Sequence, residues 1–560
     1  MPERIFIGVA WPYANGPLHL GHVAGVYLPA DIFARYHRAR GNRVLMVSGS
    51  DEHGTPVTIR AGEERVEPQV IADRYHAKFL EVWQRLGVTF DLYTRTGTDN
   101  HAAVTQDIFL RLLERGFIYR EVMTAFFCEN DRRFLPDRYV TGTCPHCGAP
   151  DARGDQCDAC GKPLNADELV EPRCRLCGAA PQLRETEHFF LDLAQFAERL
   201  GAWIRANDRL KPNVRAFSLG LIEAGLRGRP ITRDISWGIP VPVPGFESKR
   251  IYVWFEAVIG YLSASKEWAQ RSGDPEAWRE FWREPTKSYY FIGKDNIPFH
   301  TIIWPAMLMG YSDLLLPYDV PANEYLTLEK RPFSTSRNWA IWAEDLLSRY
   351  DTDPLRYLLS MNMPETNDAD FSWREFLRRN NDELVAAYGN LVQRVLTITA
   401  RNFDGRVPEP GAPGEGERAL LTQADQTFAR VTEDLAACRF RKPITEIMAL
   451  TREGNRYFDE RAPWQQVKED KPAAATTLNT CLQLINALKT MYYPFLPFSS
   501  AQLHAMLGFD GELGANDWGI ARVPAGQRFG EVKHLFKRLE PSLADEEVAR
   551  LQAQSSQAPP

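Results

Sequence analysis

Ile5-Phe6-Ile7-Gly8-Val9-Ala10, then Trp11-Pro12-Tyr13-Ala14-Asn15-Gly16-Pro17, then Leu18-His19-Leu20-Gly21-His22 follow one another near the start of the chain. The first stretch has the length and apolar character of a buried strand, and the second is a turn built from Pro, Asn and Gly. From Leu18 onward the apolar residues Val23, Val26, Tyr27, Ala30, Phe33 and Ala34 recur at helical spacing. His19 and His22 therefore sit on the first turn of a helix that follows the first strand of an α/β unit. Free backbone N–H groups and the helix dipole favour phosphate at such a turn. Gly21 leaves the backbone bare for a flat ligand to approach.

At 560 residues the chain exceeds what one hydrophobic core supports, so several domains are expected. Its 44% hydrophobic, 25% charged and 11% aromatic composition is that of a globular protein. The formal net charge of −7 gives no global signal of nucleic-acid binding, so an RNA partner requires basic residues gathered on one face. No apolar run has membrane-spanning length, and the first ten residues do not form a secretory signal. A cytoplasmic protein with no membrane partner is expected.

Val44 to Ser48 reads as a second buried strand ending at the polar turn Gly49 to Gly54, with helical periodicity through Val70, Ile71, Tyr75, Phe79 and Val82. Ile251-Tyr252-Val253-Trp254-Phe255 and Tyr289-Tyr290-Phe291-Ile292 both read as buried parallel strands. From about residue 375 the pattern is helical, interrupted by a Pro- and Gly-rich loop between Phe403 and Gly416. The polar end of the chain, residues 546–560 and above all Gln552 to Pro560, is expected to be disordered.

Seven of the nine cysteines fall between residues 128 and 177. Cys144-x2-Cys147 and Cys157-x2-Cys160 have the spacing that closes four thiolates around one Zn²⁺. Around them, Cys128, Asp131, Cys174 and Cys177 make a second possible set, leaving one zinc or two open. Either zinc is structural, because no open coordination position is suggested.

Residues Pro12 to His22 resemble the nucleotide signature of class I aminoacyl-tRNA synthetases in the form carried by methionyl-tRNA synthetases. Further motifs of that family follow in order to about residue 540. The resemblance implies an α/β fold: a Rossmann-type parallel sheet with a zinc-binding insertion, followed by an all-α anticodon-binding domain. The expected layout is a first nucleotide-binding half at 1–116, the zinc insertion at 117–185 and a second half at 186–325. A connecting segment at 326–374 and the anticodon domain at 375–545 complete it.

By the same resemblance, Trp11, Tyr13, Trp254, Ala257, Tyr261 and His300 match a methionine slot, and Asp51 matches the acid that holds the substrate ammonium. An aromatic slot suits the polarizable thioether of methionine. Gly21, Gly293 and Asp295 fall on the ATP side, and His19 and His22 donate to the phosphates. Asn390, Arg394 and Trp464 match residues that read the anticodon; an exposed Trp can stack an unpaired base. The family's second signature, Lys-Met-Ser-Lys-Ser, corresponds here to Pro332-Phe333-Ser334-Thr335-Ser336, with Pro and Thr at both Lys positions. Ser334, Thr335 and Ser336 are retained for ATP, and Arg331 or Arg337 is expected to replace the missing lysines at the phosphates. The implied activity is methionine–tRNA ligation with ATP, L-methionine and tRNA(Met), Mg²⁺ accompanying ATP, in a monomer. A paralogue that binds tRNA or methionine with weak catalysis is the alternative.

Overall fold

A computed structural model of the chain describes residues 2–557 except 137–138, 155–156, 158, 161–163, 165, 312–313 and 336. Ile5, Phe6, Ile7 and Val9 are buried in strand β1 (Arg4–Val9), flanked on both sides by parallel strands. One neighbour is β2 (Arg43–Ser50), followed by β3 (Leu92–Arg95). The other is β4 (Lys287–Gly293), followed by β5 (Ala322–Asn323). The order β5-β4-β1-β2-β3 is wholly parallel, and Ile7 lies in register with both Met46 and Tyr289. Chain direction around the sheet reverses at β1. Ligands of open parallel sheets bind in the crevice that such a reversal opens at the strands' C-terminal ends. The segments after β1, β2 and β4 all lead into it.

The helix after β1 begins with a short turn, Leu20–His22, widens into a π-helical turn, Val23–Tyr27, and becomes regular in α1 (Leu28–Ala39). The periodicity from Val70 belongs to α2 (Pro68–Leu86), although Val70 itself faces solvent. A further helix, Thr55–Glu64, precedes it with Pro56 in its first turn, where a missing N–H is harmless.

The expectation of a strand at Ile251 to Phe255 is corrected. Only Arg250–Ile251 pairs as a strand, and after the extended N-cap Tyr252 the chain enters α3 (Val253–Arg271). The apolar run is the first turn of a helix buried on nearly every side, from Phe255 through Val258, Ile259, Tyr261 and Leu262. A short apolar run does not separate a strand from such a helix.

Between the two halves of the sheet, Ile118–Cys128 and Gln182–Leu191 form a long antiparallel ribbon, Ile118 opposite Leu191 and Phe127 opposite Gln182. The cysteine-rich module sits at its far end. Past β5, α4 (Ala343–Arg349) leads into a helical region containing α5 (Asn390–Asn402), α6 (Arg441–Arg461) and α7 (Pro463–Glu469). Helix Lys471–Tyr492 runs buried through its middle. The expectation of a disordered tail over 546–560 is corrected as far as Gln554: α8 (Leu543–Gln554) is a helix with Ala544 and Leu551 buried, and residues 558–560 lie outside the described residues. Leu543 and Val548 pack beside them, with ion pairs from Glu547 to Arg349 and from Asp545 to Arg374. No described helix is long and apolar enough to cross a membrane.

Candidate functional site

His19 is the N-cap of the Leu20–His22 turn. Gly21 N–H donates to its Nδ1 (3.1 Å), and the His19 N–H donates to Nδ1 of His22 (3.3 Å), a capping box made from two imidazoles. Each Nδ1 is thereby an acceptor, so in the neutral ring the proton sits on Nε2. The rings stack at 3.8 Å. Burial, with the neighbouring ring second, holds His19 well below the usual imidazole range, and burial brings His22 down to about 4. The pair therefore offers two oriented neutral N–H donors.

Asp51 follows β2 and is locked to the Tyr13 turn by backbone bonds: Ala14 N–H to Asp51 C=O and Asp51 N–H to Pro12 C=O, both 2.8 Å. Its carboxyl is buried, and Oδ1 has no hydrogen-bond partner among the described residues. Burial first and the Glu256 carboxylate second raise its pKa well above the ordinary value. A buried acceptor left open is a site for a donor that arrives with a ligand.

Tyr13, bridged to Asp51 along the backbone, links to the aromatics of α3. On α3, Trp254, Ala257 and Tyr261 share one face at helical spacing. Trp254 Nε1–H donates to the Tyr13 hydroxyl (3.2 Å). His300 Nδ1 lies 2.9 Å from the Asn296 carbonyl, which only accepts, so Nδ1 carries the proton and Nε2 accepts from Tyr261 Oη at 2.7 Å. Burial lowers the His300 pKa to about 4, so the imidazole is neutral.

The Trp11 indole lies between two glycines. A Cβ on Gly49 would come within 2.4 Å of the ring, and one on Gly260 within 2.7 Å. This clamp was not foreseen, although both glycines sit inside the motifs that were. His53 and Glu256 were also missed: they pair at 2.9 Å beside Asp51, with His101 next to them. Burial pushes His53 down most, but Glu256, Asp51 and Glu52 together outweigh it and the net shift is upward. The signal was the Asp51-Glu52-His53 run.

Gly293 ends β4, and Asp295, in the turn after it, accepts from the Tyr325 hydroxyl. Arg331 stacks on Trp339 (5.0 Å), and Arg337 donates to Ser334 Oγ from its backbone N (3.3 Å) and its Nε (3.2 Å). It is Phe333 that lies on the His pair, its ring 4.8 Å from His19 at 15° and its edge over Gly21. Thr335 is exposed, and Ser336 lies outside the described residues.

In the insertion, the ligand atoms of Cys144, Cys147, Cys157 and Cys160 lie within 4.8 Å of one another, and so do those of Cys128, Asp131, Cys174 and Cys177. A tetrahedron with arms of ~2.3 Å has edges of roughly 3.8 Å. The Cys144–Cys160 and Cys147–Cys157 sulfurs are 3.9 and 3.7 Å apart, and Cys174 Sγ is 3.0 Å from Asp131 Oδ2. Both residue sets fit a zinc ion. Cys-x2-Cys-Gly-Ala occurs twice, at 144 and 174, with the same two backbone bonds and a left-handed Gly148 and Gly178. That repeat was a signal for two equivalent knuckles.

In the helical region Arg394 (α5) stacks on Phe458 and on Trp464, the latter at 5.3 Å, and pairs with Asp459 at 2.6 Å. Trp464 is 37% exposed, and Asn390 is exposed one turn before Arg394. Trp464 opens α7 just after Ala462, whose left-handed backbone separates α6 from α7. The three residues lie on one accessible face.

A family model described as class I tRNA synthetases (M) matches residues 5–396, and one described as the anticodon-binding domain of methionyl tRNA ligase matches 407–557. The chain belongs to the class I methionyl-tRNA synthetases. A methionine–tRNA ligase of Thermomicrobium roseum is 54% identical, covering 99% of this chain and 100% of its own. One from Dehalococcoides mccartyi strain CBDB1 is 58% identical, covering 98% and 100%. The Mycobacterium tuberculosis methionyl-tRNA synthetase, solved in complex with methionyl-adenylate, superimposes with a TM-score of 0.81 at 25% identity, covering 96% and 100%.

Proposed function

We propose that the chain activates L-methionine with ATP and transfers it to tRNA(Met), and that the open Asp51 carboxylate within the aromatic slot carries this reading. The methionine ammonium pairs with Asp51, and the thioether lies among Trp254, Ala257, Tyr261 and His300, with Trp11 and Tyr13 closing the slot. The carboxylate oxygen of methionine attacks the α-phosphorus of ATP. A P–O bond forms, the bond to the β-phosphate breaks, and pyrophosphate leaves. No enzyme nucleophile is required, so the protein contributes orientation and charge stabilisation. His19 and His22 donate Nε2–H to phosphate oxygens, while Gly293 and Asp295 take the ribose and Gly21 the base. Mg²⁺ bound with ATP supplies further neutralisation of the phosphates.

Arg331 and Arg337 serve the phosphates once the loop turns toward them, with Ser334, Thr335 and Ser336 completing the ATP contacts. Arg331 rests on the Trp339 ring and Arg337 on the Ser334 hydroxyl, both uncharged partners. The terminal ribose hydroxyl of tRNA then attacks the adenylate carbonyl and AMP departs. Asn390, Arg394 and Trp464 receive the anticodon. Zn²⁺ in the two knuckles is structural, and a reducing cytoplasm suits thiolate ligands. The test is methionine-dependent exchange of pyrophosphate into ATP by the wild type and by Asp51→Asn. Exchange in the first and a steep loss of methionine affinity in the second are expected; unchanged affinity overturns the slot.

A further inference from the structure

The last helix reaches the catalytic turn through one side chain. Gln554, at the end of α8, donates from Nε2 to the Asn338 carbonyl (3.2 Å), Asn338 Oδ1 (3.0 Å) and the Ala340 carbonyl (2.9 Å). Asn338 Nδ2–H returns a bond to the Gln554 carbonyl at 3.1 Å. Asn338 is buried, holds a left-handed backbone (φ 49°) and accepts from Trp342 Nε1–H at 3.1 Å.

The segment so gripped has two further attachments. Its backbone pairs with the His19 turn, Trp342 opposite His19, through Leu20 N–H to Ile341 C=O (3.0 Å) and Ala343 N–H to Leu18 C=O (2.8 Å). At its other end, Trp339 pairs with Ser334 by two 2.9 Å backbone bonds, closing the loop that lays Phe333 on His19. Gln554 thus fixes the common base of the loop and the His19 turn. The helix behind it is itself held, with Leu551 buried and Tyr350 Oη donating to Glu547 at 2.7 Å.

We propose that Gln554 is a positioning residue for methionine activation: its carboxamide sets residues 338–342, and through them the His19 turn and Phe333, against ATP. The proposal rests on the reading of His19 as an ATP-phosphate donor. Misplacing a positioning contact by about an ångström lowers the rate without disturbing a separate subsite. The methionine slot shares none of these bonds.

The experiment is steady-state pyrophosphate exchange on the full chain for Gln554→Ala, Gln554→Glu, Asn338→Gly and the Gln554→Ala/Asn338→Gly double variant. Methionine Kd from tryptophan fluorescence and Tm are measured beside it. Glycine at 338 keeps the left-handed backbone while removing the amide. About a tenfold or larger fall in kcat over the ATP KM is expected for both Gln554 variants. Methionine Kd should stay unchanged, and the double variant should be no worse than the worse single one, because both remove one contact. His19→Ala, run alongside, separates the two claims. If it abolishes exchange while Gln554→Ala changes only Tm, the positioning role is overturned and the ATP reading stands. If it leaves exchange intact, the ATP reading fails and the proposal with it.

Discussion

Asp51 is a buried acid with an open carboxyl oxygen. Burial and then Glu256 raise its pKa well above the ordinary carboxylate value in the folded, ligand-free protein. A raised folded pKa means that its contribution to stability is present at acid pH and is lost as pH climbs from the ordinary carboxylate range toward the raised value. Asp51→Asn should therefore raise Tm relative to wild type more at about pH 8 than at about pH 4, which paired thermal melts check. Methionine's ammonium favours the carboxylate, so binding expels the proton and wild-type affinity should rise with pH across the same window. The Asn variant should lose that slope and ~2 kcal/mol of affinity, about thirtyfold in Kd, as measured by calorimetry. For the His pair, His22→Ala should cost ~3–4 kcal/mol of barrier in pyrophosphate exchange, with no inflection from His22 between about pH 6 and 8, because burial has already moved its titration to about 4. Tyr13, Trp254, Tyr261 and His300 were legible because each lay in a short motif. The glycines clamping Trp11 were not, because closeness of Gly49 to Gly260 exists only once β2 packs on α3.

At the scale of elements, the cysteine module offers the sharpest test. Metal analysis of protein purified without chelator should find two zinc ions per chain, and Asp131→Ala should leave one. Cys157→Ser should lose the other and open residues 128–177 to proteolysis, since metal binding supplies folding free energy in so small a module. A single zinc in the wild type would remove Asp131 from the ligands. In the helical region Trp464→Ala should spare pyrophosphate exchange and lower tRNA aminoacylation by ~1–3 kcal/mol, the worth of a stacked base. Equal loss of both would make the Arg394–Trp464 stack structural. The parallel strands and the ribbon-borne insertion followed from apolar runs and cysteine spacing. The segment after Ile251 did not, because a buried helix and a buried strand are equally apolar over five residues. The closing helix escaped notice since Ala544 and Leu551 are a thin apolar signal among charged neighbours.

Over the whole molecule, the sheet's reversal at β1 gathers three loops, after β1, β2 and β4, from positions nearly 300 residues apart in the chain. Local sequence identified each loop; only the parallel pairing of β1 with β4 says that they meet. The second-signature loop is the place where local sequence says least about side-chain placement. Two absent lysines pointed to neighbouring arginines, whereas the structure sets Phe333 on His19 and leaves the arginines on Trp339 and Ser334. Whether a loop without those lysines still activates methionine is the central claim, and methionine-dependent exchange of labelled pyrophosphate into ATP by the wild-type chain tests it most directly. Exchange that requires methionine and is abolished by His19→Ala is the predicted result; protein that binds methionyl tRNA yet shows no exchange would contradict it.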